Sequence, residues 1–298
     1  VALAGCASTG LAQTLAPAFA SDYSITDLGS PGSVPGPLGG ITFLNDNTIL
    51  IGGNANNGLG AIYSVPITRG VDNVITGFAG PGTLYASAAN IDGGLAFGPE
   101  GVLFYSTFNT NTIGQIKPGS VGPDKIITGA SLGVASSTGT LQFVPTGFPG
   151  AGRLKIASYS SSLWYSASVV ADGSGTYDIT DVSAGLLIGG GPEGIVYISD
   201  ENTGFDNASV LVSEFDAGRV AAYEIDANGD PITSTRRDFI TGLTGAEGAA
   251  IDPVTGAFLF STFGGGNRVI VVNGFVPIPE PVTLSLVATA SVLVLRRR

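Results

Sequence analysis

One pattern, recurring about every fifty residues, constrains this chain more than any other feature. Ile-Thr pairs end a strand-like stretch at Ile25, Ile75, Ile127, Ile179 and Ile240, with separations of 50, 52, 52 and 61. Further Ile-Thr pairs at Ile41, Ile67 and Ile232 show that the dipeptide alone proves nothing. The residues downstream of each of the five are more telling. A Gly-rich loop leads into a short apolar strand opened by a small residue, as in Gly40 to Phe43, Gly94 to Phe97, Thr140 to Phe143, Gly194 to Tyr197 and Gly248 to Ile251. A turn and a second strand come next, clearest at Phe97-Gly98-Pro99-Glu100-Gly101-Val102 and at Ile251-Asp252-Pro253-Val254-Thr255-Gly256. There Pro presets the first corner and Gly takes a positive φ. Third strands are read at Ala61 to Ile67, Thr112 to Lys117, Leu163 to Val170, Arg219 to Ile225 and Arg268 to Val272.

Four strands per unit of this length predict an all-β chain folded as a β-propeller, residues 21–275. Five four-stranded blades fit, with six as the alternative count. The last unit lacks its fourth strand, and Tyr23 to Asp27 precedes the first full unit. This N-terminal strand is therefore expected to complete the fifth blade, closing the ring and hiding sheet edges. With 46 glycines in 298 residues and many Val, Ile, Thr, Phe and Tyr, composition favours short strands and tight turns over helices. A stacked pair of β-sandwiches is the competing fold, and the regular period argues against it. The Gly-Leu-Ala-Phe strand at Gly94 and the Pro-x-Gly turn at Pro99 resemble NHL-type and SMP-30-type propellers. Such folds serve binding, scaffolding and catalysis alike, so the fold alone names no function.

Both ends read as addresses. Residues 1–20 resemble the back half of a signal peptide truncated at its start, ending in the A-x-A site Ala18-Phe19-Ala20. Two other readings are a lipoprotein signal at Leu3-Ala4-Gly5-Cys6 and a buried first strand. Residues 276–298 hold Pro279-Glu280-Pro281, an uncharged stretch over 282–295, and Arg296-Arg297-Arg298. Three prolines in six residues force an extended spacer. The 14 apolar residues after it are short for a permanent membrane span. This tail resembles the PEP-CTERM sorting domain of Gram-negative bacteria. The resemblance implies recognition of Pro279, Glu280 and Pro281 by an exosortase, with a short C-terminal transmembrane helix over 282–295 halting transiently in the inner membrane. Arg296, Arg297 and Arg298 would stay inside, delivering the chain to the cell surface or extracellular matrix.

A net charge of −11 disfavours nucleic acid, whose phosphates need clustered Lys and Arg. The chain has no histidine and a single cysteine, Cys6. A Ser-His-Asp triad and a His-rich zinc site are thus excluded. Any chemistry must come from carboxylates, Lys, Tyr, Ser or an oxygen-bound metal. The strongest candidates are Glu193 and Glu247, each just before an inner strand. Gly39, Gly93 and Gly139 hold the same place in the other units, with Asp92 one residue earlier. Together Glu193, Glu247 and Asp92 are expected at one mouth of the channel, where their oxygens suit Ca²⁺. SMP-30-like lactonases use an acidic and amide metal site in this region, but no Asn partner is assignable here. Asp226-Ala227-Asn228-Gly229-Asp230 alternates oxygen side chains as a calcium loop does, yet Arg237 stands where the bidentate Glu belongs, so a hairpin turn is expected. Asp200-Glu201-Asn202 with Asp206 reads as a solvated acidic loop. Phe108, Tyr159, Trp164, Tyr165 and Phe263 fill space between blades or, on a propeller face, stack on sugars. The leading expectation is a propeller that binds a polysaccharide or surface protein without catalysis. The alternatives are a metal-dependent lactonase- or esterase-like hydrolase and a passive structural protein.

Overall fold

A computed structural model describes residues 13–278, and the chain there is built of five antiparallel sheets arranged as blades. Blade 1 runs from its inner strand Leu38–Asn45 through Thr48–Gly53 and Ala61–Arg69 to Ile75–Phe78. Blade 2 comprises Ile91–Phe97, Leu103–Thr107, Thr112–Ile116 and Lys125–Thr128. Blade 3 comprises Thr138–Phe143, Leu154–Ser158, Leu163–Ala171 and Tyr177–Thr180. Blade 4 comprises Pro192–Ile198, Ser209–Glu214, Arg219–Glu224 and Arg237–Thr241. Blade 5 has three strands from the C-terminal part, Ala246–Ile251, Phe258–Thr262 and Val269–Asn273. Its fourth is the N-terminal Ser24–Gly29, paired antiparallel with Val269–Asn273. The ring closes as the repeat predicts, leaving no open outer edge on the last three-stranded sheet.

Side-chain alternation turns each strand into cement for two seams. Ile49 and Ile51 pack against blade 5, whereas Leu50 between them faces blade 2. In blade 3 Tyr165 joins the core shared with blade 2, and its neighbour Trp164 joins the core shared with blade 4. Each of the five seams thus holds its own apolar cluster. Polar ties reinforce the closure between blades 5 and 1. Ser261 Oγ donates to the Gly39 carbonyl at 2.5 Å, and Arg69 grips the fully buried Asp252 in bidentate fashion at 2.7 and 2.8 Å.

Three short strands lie outside the four-per-blade pattern. Thr83–Ser87 and Leu186–Leu187 pair with the third strands of blades 1 and 3, and Thr14–Leu15 extends blade 4 along Arg237–Thr241. After Thr14–Leu15 the chain turns, and Phe19 is fully buried among Tyr23, Phe205 and Phe239. Ala18 and Ala20, read as a cleavage site, therefore flank a core residue of the seam between blades 4 and 5.

The expected short C-terminal transmembrane helix over 282–295 falls outside the described residues, and nothing among those residues supports it. The described residues contain only 3₁₀ turns, and no described helix is long and apolar enough to cross a membrane. Transient inner-membrane anchoring through 282–295, and the cell-surface destination built on it, lose their support with it. Pro279, Glu280, Pro281, Arg296, Arg297, Arg298 and Cys6 lie outside the described residues.

Candidate metal centre

Asp92, Glu193 and Glu247 are each the second residue of an inner strand, in blades 2, 4 and 5. All three strands slip register at this point, between Ile91 and Leu95, Pro192 and Gly194, and Ala246 and Ala249. Such bulges re-aim side chains, and here they turn three carboxylates toward one another. One oxygen from each lies within 4.8 Å of the other two. Glycines in blades 2 and 3 make the room. A Cβ at Gly93 would lie 2.9 Å from Glu193 Oε2 and 1.9 Å from its carbonyl oxygen, and one at Gly139 would also lie 2.9 Å from Glu193 Oε2. The expected convergence is thus observed, but inside the fold and not in an open mouth: Asp92, Glu193 and Glu247 are only 1%, 3% and 1% exposed.

The electrostatics of this cluster are one-sided. Asp92 Oδ2, Glu193 Oε2 and Glu247 Oε1 are buried and have no hydrogen-bond partner. None of the three enters a salt bridge among the described residues. Burial pushes the Asp92 carboxyl up to about 8, against opposing effects of its neighbours Glu247, Asn56 and Gly93. Burial, then the charges of Asp92 and Glu247, hold Glu193 well above the usual carboxylate range. Burial and then the Asp92 charge do the same for Glu247. Without a cation the site retains protons, because three like charges cannot be kept in a low dielectric. Oxygen-only donors of this kind suit a hard cation such as Ca²⁺.

Asn56 is the amide that sequence reading could not assign. It sits in the loop after the second strand of blade 1 at φ +60°, beside Asp92, and its buried Oδ1 is unpartnered. Its signal was the Asn54-Ala55-Asn56-Asn57-Gly58 turn, since Asn tolerates left-handed backbone.

Aromatic side chains frame the cluster. The residue directly after the second strand of blades 2 to 5 is Phe108, Tyr159, Phe215 or Phe263. In each blade its N–H donates to the carbonyl of Asn90, Ser137, Gly191 or Gly245. The rings meet edge to face in sequence at 5.9, 5.8 and 6.0 Å. Phe215, in register with the others, was missed. The Tyr159 hydroxyl donates to Asp216 Oδ1 at 2.8 Å, and burial followed by Asp216 pushes that phenol up to about 12. Trp164 and Tyr165 are buried between blades instead.

The other acidic motifs are structural. Asp226 Oδ1 accepts from the N–H groups of Asn228 and Asp230, an Asx-type hairpin turn. Asn202 is buried, bonding Ser199 and the N–H of Val276, so that loop is not simply solvated.

No family model and no curated protein matches the chain. Similar solved structures include a putative oxidoreductase (glucose dehydrogenase) from Thermus thermophilus, 14% identical, covering 84% of this chain and 99% of that one at TM-score 0.47. A streptogramin B lyase is 11% identical, covering 85% and 98% at TM-score 0.41. A putative 6-phosphogluconolactonase from Bacteroides uniformis is 12% identical, covering 82% and 69% at TM-score 0.44. Because no family model matches, the expected PEP-CTERM and NHL/SMP-30 membership is corrected, and with it the exosortase partner. The expectation of binding without catalysis is corrected by the buried carboxylate triad. A passive binding or spacer protein has no need of three uncompensated buried acids, whose desolvation is expensive.

Proposed function

We propose that this chain is a metal-dependent hydrolase of ester or lactone bonds, with Asp92, Glu193 and Glu247 as ligands to a divalent cation, Ca²⁺ first. The observation that carries the reading is the convergence of three buried carboxylates, each with an unpartnered oxygen, within 4.8 Å. A cation seated there resolves a cost that protons only reduce. Asn56, beside Asp92 and with its Oδ1 unpartnered, is the candidate for a neutral further ligand. When bound, such an ion polarises a carbonyl oxygen.

The chain's own groups supply the rest. Phe108, Phe215 and Phe263 shield the approach from water, which strengthens electrostatics at the site. Asp216, exposed and fixed by the Tyr159 hydroxyl, is the carboxylate available to accept a proton from an attacking water. The water oxygen bonds the acyl carbon, the acyl C–O bond breaks, and the proton passes to the leaving alkoxide.

The test is calorimetric titration of CaCl₂ into chelator-treated protein at mildly alkaline pH, paired with a turnover screen on esters and lactones. Saturable binding and Ca²⁺-dependent turnover are expected in wild type, with both lost in Glu193→Gln. Absence of metal affinity in the wild type removes the reading.

A further inference from the structure

Away from the triad, the seam between blades 3 and 4 holds a half-open cavity of about 360 Å³ lined by Gly150, Arg153, Ser166, Ser183, Asn228 and Asp230. Its donors and acceptors do not balance. Lys155, fully buried behind it, spends its ammonium on Ser166 Oγ at 2.8 Å, the Asn228 carbonyl at 2.8 Å and Asp230 Oδ1 at 2.6 Å. Asp230 Oδ1 also accepts the Trp164 indole N–H at 2.8 Å, so that carboxylate is neutralised and well bonded.

Arg153 is different. Its Nε donates to Ser166 Oγ at 3.4 Å and its Nη1 to Ser168 Oγ at 3.1 Å. It has no carboxylate partner among the described residues, whereas Arg69, Arg219, Arg236 and Arg268 each have one, and Arg237, which also lacks one, lies over the Phe19 and Phe205 rings. In a chain of net charge −11, a half-buried guanidinium turned toward hydroxyls leaves most of its donors unspent. Ser166 carries a matching surplus. Its oxygen accepts from both Lys155 and Arg153, so its lone pairs are taken, and its own hydroxyl proton has no acceptor among the described residues. Two cationic donors on one hydroxyl oxygen make its O–H a stronger donor.

We propose that this cavity is a binding site for a small oxyanion, of phosphate, sulfate or carboxylate type, held by the Arg153 guanidinium and the Ser166 hydroxyl. Planar forked recognition of such groups is what guanidinium does best. The site is independent of the carboxylate triad and does not rest on the hydrolase reading.

The chain has one tryptophan, and its N–H bonds the same Asp230 that lines the cavity. Trp164 emission is therefore a built-in reporter. Phosphate, sulfate and acetate are titrated in turn at constant ionic strength, with thermal denaturation as a second readout. At least one is expected to change Trp164 emission saturably in the millimolar range or below and to raise the melting temperature. Arg153→Gln should weaken that affinity at least about 10-fold, Ser166→Ala should weaken it measurably, and Glu193→Gln should leave it unchanged. No saturable response by either readout to any of the three anions, or equal affinity in wild type and Arg153→Gln, overturns the proposal. If Arg153→Gln does not fold, undiminished affinity in Ser166→Ala overturns it instead.

Discussion

Raising the pH of the metal-free protein should destabilise it, and adding Ca²⁺ should reverse the trend. Asp92 titrates near 4 in an unfolded chain but is held up to about 8 in the fold, chiefly by burial. The folded state therefore binds more protons than the unfolded state between these values. Stability from this group is fully present below its unfolded value and is lost as pH rises through its folded one. The slope is about 1.4 kcal/mol per pH unit for each group titrating in this sense. From pH 5 to pH 8 one such group accounts for roughly 4 kcal/mol, or on the order of 10 °C in melting temperature for a domain of this size. Glu193 and Glu247 shift in the same direction and add to it. The assay is thermal denaturation in chelator across pH 5 to 8, compared with the triple variant Asp92→Asn, Glu193→Gln, Glu247→Gln. The wild type should lose stability with pH while the variant stays nearly flat, and saturating Ca²⁺ should stabilise the wild type most at high pH, because the ion displaces protons. Parallel pH profiles for wild type and triple variant in chelator would refute the reasoning.

Further predictions concern the frame around the site. Phe19→Ala removes a fully buried ring from the seam between blades 4 and 5 and should cost about 3–5 kcal/mol in chemical denaturation; a loss under about 1 kcal/mol would mean that the segment before Ser21 is dispensable to the core. Arg69→Met strands the buried Asp252 carboxylate and should cost about 3–5 kcal/mol, while Arg69→Met with Asp252→Leu should recover much of it. Gly139→Ala places a methyl 2.4 Å from the Pro192 carbonyl oxygen and 2.9 Å from Glu193 Oε2; calcium affinity should fall at least about 10-fold by calorimetry.

Much of the architecture was legible because a propeller writes its period into the chain. The spacing of the Ile-Thr strands located the blades, and the missing fourth strand of the last unit pointed to Ser24–Gly29. Glu193 and Glu247 stood out because they replace glycine at a repeated position, a local signal. Their burial was not legible, since it arises from bulges in three separate strands. Asn56 and Arg153 were hidden for a related reason: each acquires meaning from partners in another blade or another strand. Phe19 was ambiguous, because a bulky apolar residue between two alanines satisfies a leader peptide and a core seam equally well. The tail carries a motif whose implied membrane helix falls on residues outside those described, and the described residues lend it no support.

Diffraction from crystals grown with Mn²⁺ in place of Ca²⁺, collected near the manganese edge, tests the central claim most directly. The account predicts one strong anomalous peak among Asp92 Oδ2, Glu193 Oε2 and Glu247 Oε1, at bonding distance from all three, absent from Glu193→Gln crystals. A fully occupied manganese elsewhere, with the three carboxylates still facing one another and no peak between them, would contradict it.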